Sequence, residues 1–354
     1  MIELALGLRA NMLTEDNFRF AKQLGCDSIV VTLFSSHQKI PVESRFYQLK
    51  EPLLAVERDD SAWELDNLLR LVSMAERNGL RIGAIQNFNP ADYYDVLLAG
   101  KEREVQIARI KKIIKNIGAA GIKKIGYHFN IAGVLGRKRN PDGRGGAGIY
   151  TFDAQKVSQE PIPNGMVWDR IYNFFPAQGS VSPVTSEEIW ERFTYFLTAI
   201  IDTAENSDVQ LAMHPTDPPI PVARKTSRLI YKAEDFDRLL DISDSPYNMI
   251  NLCIGTLGEM EECNVPLMVE KYARLKRVSF IHLRNIKGRI PFYKEVFIDE
   301  GDLDIVEIIK ILRDNRYNSF VMPDHAPVLS CPESWYASMA YSLGYLRALI
   351  SQNT

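Results

Sequence analysis

Cysteine is scarce: Cys26, Cys253, Cys263 and Cys331 are all that 354 residues contain. None are spaced as CxxC, and they are too few and too scattered for a secreted disulfide framework, so a reducing compartment is expected. Charge of one sign is lacking as well. The 42 basic and 45 acidic residues leave a formal charge of -3, which gives no electrostatic footprint for nucleic acid or a membrane surface. No apolar run approaches membrane-spanning length, and Glu3 stands where a signal peptide needs a basic residue. There is no glycine-rich dinucleotide fingerprint, internal repeat or low-complexity tract. The expectation is a cytoplasmic protein acting on a small molecule.

What is present is an alternation of apolar runs and amphipathic segments. Residues 2–8, 28–34, 80–85, 122–129, 209–213, 249–252, 278–281 and 320–323 read as strands. Helices are expected near 14–24, 65–78, 101–119, 186–201, 235–240, 265–275, 304–313 and 335–350. Ser61-Ala62-Trp63-Glu64 and Thr185-Ser186-Glu187-Glu188 both have the capping-box pattern. The apolar face of the second helix is expected to include Leu65, Leu68, Leu69 and Val72. Eight strand–helix pairs demand a parallel sheet with helical crossovers and, with no dinucleotide fingerprint, favour a closed TIM (β/α)8 barrel. A single domain over 1–354 is expected, with long loops after strands 2 and 4. The second of these, 130–184, is rich in Gly, Pro, Arg and Asn and reads as a loop or lid insertion.

In such a barrel the residues just past the strands share one face, where the chemistry is kept. Four consecutive strands end in His214, Cys253, His282 and Asp324. A lone histidine or cysteine at a strand end is usually structural; four in succession are a ligand set for one divalent ion, suited to zinc, iron or manganese. His325 follows Asp324 and can face the same pocket, as an acid/base group or as a hydrogen-bond partner of Asp324. Arg284 can hold a carboxylate in bidentate fashion or sit solvated on the rim. The stretch from His214 through Asp217 to Pro219 is stiff and extended, suited to holding a ligand. Arg144 and the 137–139 basic cluster could meet an anionic substrate, although a solvated charge run is the ordinary reading of the latter.

These motifs resemble those of the mannonate dehydratase family. The matching pieces are MHPTDPPIP at 213–221, SPYNMINLCIGTLGEM at 245–260, FIHLRNIKG at 280–288, MPDHAP at 322–327 and GYLRAL at 344–349, together with the helix–strand segment at 101–130. The resemblance implies a TIM barrel that converts D-mannonate to 2-keto-3-deoxy-D-gluconate and water. It implies a divalent metal, Mn2+ before Fe2+ or Zn2+, held by His214, Cys253, His282 and Asp324. His325 would be an acid/base residue and Arg284 a substrate contact; Arg144, Asp217 and His128 are expected substrate contacts beside it.

There are departures. The family usually has arginine before its Pro-Asp-His, where this chain has Met322. Its catalytic tyrosine follows that histidine shortly, which makes Tyr336, in Glu333-Ser334-Trp335-Tyr336, the expected equivalent. An Asp-Trp-Thr-Arg motif common after the fourth strand is replaced by Ile131-Ala132-Gly133-Val134 and then Arg144-Gly145-Gly146-Ala147, which looks like the variant loop of some relatives. Two alternatives stand beside the dehydratase: a metal-dependent sugar isomerase or epimerase on the same barrel, and an inactive sugar-acid binding protein. Family members are commonly oligomeric, so a homo-oligomer is expected, with no nucleic acid or membrane partner.

Overall fold

Short β-branched and aliphatic runs, each followed by a helix, close on themselves. In the computed structural model, which describes residues 1–48 and 53–352, eight parallel strands form a closed barrel in sequence order. They are β1 (Glu3–Arg9), β2 (Ser28–Thr32), β3 (Arg81–Gln86), β4 (Lys124–Tyr127), β5 (Gln210–Met213), β6 (Asn248–Cys253), β7 (Val278–Leu283) and β8 (Phe320–Pro323). Register shifts once between β2 and β3 and once between β6 and β7, and beyond the second shift Cys253 lies opposite His282, and Leu283 opposite Pro323, so the ends of β6, β7 and β8 rise together. The closed TIM barrel expected from the alternation is therefore the observed fold.

Inside the ring, Ala5, Val30, Ala84, Ala212, Phe280, Phe320 and Met322 form one buried cluster. Phe280 and Phe320 stack with ring centroids 5.1 Å apart, and small residues on the facing strands leave room for them. A larger apolar layer joins the outside of the barrel to its helices. Among the described residues, no helix is long and apolar enough to cross a membrane.

Local sequence explains most element starts. Thr185 Oγ1 accepts from Glu188 N while the Glu188 carboxylate accepts from Thr185 N, so that capping box opens helix Ser186–Asn206. The other expected box is not made. Ser61–Trp63 forms a short 3-10 turn, the Ser61 hydroxyl bonds Asp59, and the helix begins at Leu65 with no side-chain cap. On that helix Leu68 and Leu71 are buried whereas Leu69 is 43% exposed.

The stretch 130–184 contains more order than its composition suggests. Strands Arg137–Asn140 and Ile149–Asp153 pair with each other, and the second pairs with Phe292–Val296 of a hairpin that follows β7. A four-stranded sheet thus connects the loops after β4 and β7. Met166–Val167 pairs with Arg170–Ile171, which in turn pairs with Leu54–Ala55 from the loop after β2. Within that loop, residues 49–52 lie outside the described residues.

Candidate metal centre and substrate cavity

The ends of β5 to β8 deliver the expected ligand set to one place. Ligand atoms of His214, Cys253 and His282 all lie within 4.8 Å of one another. Asp324 joins them: its carboxylate is 3.9 Å from Cys253 Sγ and 4.0 Å from His282 Nδ1. His214 Nδ1 donates to the Pro215 carbonyl at 2.7 Å, which leaves Nε2 as a lone pair. His282 Nδ1 is buried and has no hydrogen-bond partner. Burial holds both imidazoles below the usual histidine range, His282 at about 3, so both present neutral donors. Burial also pushes the Cys253 thiol up to about 12, with the Arg284 guanidinium opposing; a bound divalent cation would deprotonate it outright.

Charged groups surround this cluster. Arg284, fully buried, reaches Asp217 and Glu259 at 2.7 Å each and also pairs with Asp324. Arg137 pairs with Asp217 and reaches Glu295 at 3.0 Å. Four carboxylates thus share two guanidiniums and the His325 ring in a buried volume, an arrangement that is costly to leave unpaired. The orphaned His282 nitrogen and the soft and borderline donors fit a divalent ion.

Adjacent segments build the surroundings. The short helix Ile254–Glu259 after β6 turns Thr256 and Glu259 back toward the site, and the Thr256 hydroxyl donates to Cys253 Sγ at 3.1 Å. Gly255 is required there, because a Cβ would lie 2.3 Å from the Arg284 side chain. In the hairpin after β7, Tyr293 and Glu295 share one face by the two-residue period. Glu295 accepts from His325 Nδ1 at 2.8 Å. His325 Nε2 stays 3.7 Å from Asp324, facing the cavity as a lone pair in the neutral ring. Burial works to lower the His325 pKa, but Asp324 and Glu295 overcome it and hold it above the usual value.

His128 lies under the Trp168 ring, centroids 3.9 Å apart, with neither ring nitrogen partnered. Burial lowers it to about 3, so it is neutral. It lines a chamber of about 150 Å³ with His214, His282, Asp217, Asp324 and Arg137. This chamber shares Gln86, Asn87, Trp168, Asp324 and His325 with a larger cavity of about 640 Å³ over β1, β2 and β3, where Met322 also lies.

Of the residues expected at the site, His214, Cys253, His282, Asp324, His325, Arg284, Asp217 and His128 come together. Two do not. Tyr336 donates to Asn17 at 2.7 Å and packs edge-on against Phe20, held by its own helix away from the cluster. Arg144 pairs with Asp299 at 2.9 Å on the half-exposed rim. The tyrosine beside His325 is instead Tyr150, with ring centroids 6.2 Å apart. Arg137, expected within a solvated charge run, is only 9% exposed and belongs to the cluster. Glu259 and Glu295 were not anticipated.

Comparison with known proteins agrees with this geometry. The model of the D-mannonate dehydratase (UxuA) family matches residues 54–351. The mannonate dehydratase of Thermotoga neapolitana is 31% identical over 286 residues, covering 75% of this chain and 79% of that protein. That of Geobacillus thermodenitrificans is 29% identical over 290 residues, covering 75% and 76%. The crystal structure of mannonate dehydratase from Streptococcus suis serotype 2 superposes with a TM-score of 0.77 at 23% identity, covering 99% of this chain and 94% of that one. D-psicose 3-epimerase from Clostridium cellulolyticum, at 12% identity and a TM-score of 0.60 over 99% of both chains, shares the fold. With a match over residues 54–351 and relatives of this similarity, the chain belongs to the D-mannonate dehydratase family.

Proposed function

We propose that this hydro-lyase dehydrates D-mannonate to 2-keto-3-deoxy-D-gluconate, with manganese as the preferred ion held by His214, Cys253, His282 and Asp324. The observation that carries the reading is the convergence of those four side chains at the ends of adjacent strands, in a chain of this family. The chemistry a divalent ion supplies when bound is Lewis acidity at the substrate carboxylate and C2 hydroxyl, which acidifies the C2 proton.

The protein's own groups do the rest. With Nδ1 committed to Glu295, His325 offers Nε2 to take the C2 proton and can return a proton to the departing C3 hydroxyl. Neutral His128 has both nitrogens free for substrate hydroxyls. Arg284, saturated by carboxylates, fixes Asp324 rather than gripping substrate. The epimerase and inactive-binder readings lack a comparable observation, since likeness to D-psicose 3-epimerase extends to the fold alone.

Proton NMR of the product decides the matter. Manganese-loaded protein with D-mannonate is expected to yield a C3 methylene, which only loss of water creates. An epimeric acid or a rearranged sugar without that methylene would overturn the dehydratase.

A further inference from the structure

The cavity has a second polar end that the reaction above does not use. Arg9, the last residue of β1, and Arg170, from the segment after β4, both line it. Arg170 is held in place without a carboxylate. Its Nε donates to Ser36 Oγ at 2.9 Å, its Nη1 to the Asp169 carbonyl at 3.1 Å, and its guanidinium lies 5.5 Å from the Trp168 ring centre. The neighbouring Asp169 carboxylate faces Arg224 at 3.8 Å. Among the described residues, neither Arg9 nor Arg170 has a carboxylate within ion-pair distance, in contrast to Arg137 and Arg284. Burial lowers the Arg170 pKa, Asp169 opposes that, and Arg9 lowers it further; an anion between the two would relieve both arginines.

Position gives this pair its meaning. Arg9 ends β1, and Ser36, which holds Arg170, follows β2. The ligand residues end β5 to β8; β5 and β6 lie across the ring from β1 and β2, while β8 adjoins β1. Eight strands spaced ~4.8 Å apart and tilted close into a barrel roughly 15 Å wide, and inward side chains narrow this to a gap that an extended six-carbon acid can bridge. Between the poles the lining is polar, with Asn11, Thr32, Ser35, Gln86 and Asn87 suited to hydroxyl groups.

We infer that the cavity carries an anion subsite between Arg9 and Arg170, so that besides D-mannonate the protein takes six-carbon sugar acids with a second anionic group at the other end, a phosphate or a carboxylate. Two guanidiniums with no carboxylate within ion-pair distance are suited to such a group, and a guanidinium can bond either oxyanion. The inference rests on the dehydratase reading for the orientation of the sugar acid, but not for the presence of the anion subsite.

The test is calorimetric binding of D-mannonate, D-mannonate 6-phosphate and D-mannarate to the manganese-loaded protein, followed by product analysis with each. At least one dianion is expected to bind about ten-fold or more tightly than D-mannonate, and whichever binds more tightly identifies phosphate or carboxylate as the group the subsite prefers. Arg9→Glu, at an exposed position, should abolish that advantage, and Arg170→Gln should reduce it. Equal binding of all three acids, or an advantage that survives both substitutions, would overturn the inference. The two readings fail separately. Dehydration of D-mannonate without any dianion preference removes the subsite and keeps the dehydratase. An Arg9-dependent preference with no dehydration keeps the subsite and removes the dehydratase.

Discussion

Replacing His325 with asparagine is expected to lower kcat by about 10²- to 10⁴-fold, the range for loss of a positioned acid/base group, while the protein keeps its ion and its fold. Asparagine can retain a hydrogen bond to Glu295 but has no group that exchanges a proton near neutral pH. The geometry makes the expectation specific. Glu295 fixes the Nδ1 side at 2.8 Å, and Nε2 faces the cavity beside Asp324. Steady-state turnover with metal content measured on the same sample checks this. Tyr336→Phe is the control: its hydroxyl is spent on Asn17, so turnover should stay within about two-fold of wild type, as for a surface change remote from the site. Near-normal turnover in His325→Asn would remove that histidine from the mechanism.

Arg284→Met should have the largest effect on stability, a loss of about 3–5 kcal/mol in unfolding free energy, as when one partner of a buried ion pair is removed. Arg284 holds Asp217, Glu259 and Asp324 from a side chain only 1% exposed. Without it, Asp217 and Glu259 would be left to Arg137, and Asp324 to the neighbouring imidazoles. Burial already pushes Glu259 up to about 8 against the pull of Arg284, which shows how little spare compensation the cluster has. Arg284→Lys keeps the charge but loses the planar fork, so an intermediate loss is expected. Denaturant unfolding of the metal-free proteins measures both. Wild-type stability in Arg284→Met would mean that the cluster is compensated in another way.

The barrel was legible because its strands are short apolar runs and its helices keep their apolar period. The ligand set was legible for a related reason: each ligand sits at or one residue beyond the end of a run, as His214 does after Met213 and Asp324 after Pro323. The outer part of the site was not. Glu295 stands in a hairpin whose partner strand is Ile149–Asp153, more than a hundred residues away, and no local pattern announces that pairing. Arg137 belongs to a basic run that ordinarily faces water; only the four-stranded sheet turns it inward. Tyr336 illustrates the opposite error, a residue at the expected distance along the chain whose helix carries it elsewhere. Positions set by strand ends could be read, and positions set by long-range loop pairing could not.

Met322 has a physical consequence of its own. It belongs to the apolar cluster inside the barrel, and Gly7 gives it space, since a Cβ there would lie 2.8 Å from Met322 Cε. Met322 therefore adds apolar surface to the lining of the large cavity, whose positive charge comes from Arg9 and Arg170.

On the proposed function, dehydration depends on one ion held by the ends of β5 to β8. The most direct measurement strips the protein with a chelator, verifies the residual metal, and titrates manganese back while D-mannonate turnover is followed. Turnover should vanish on stripping and return in proportion to bound ion, reaching its limit at one ion per chain. Full turnover in protein shown to hold no metal would contradict the account.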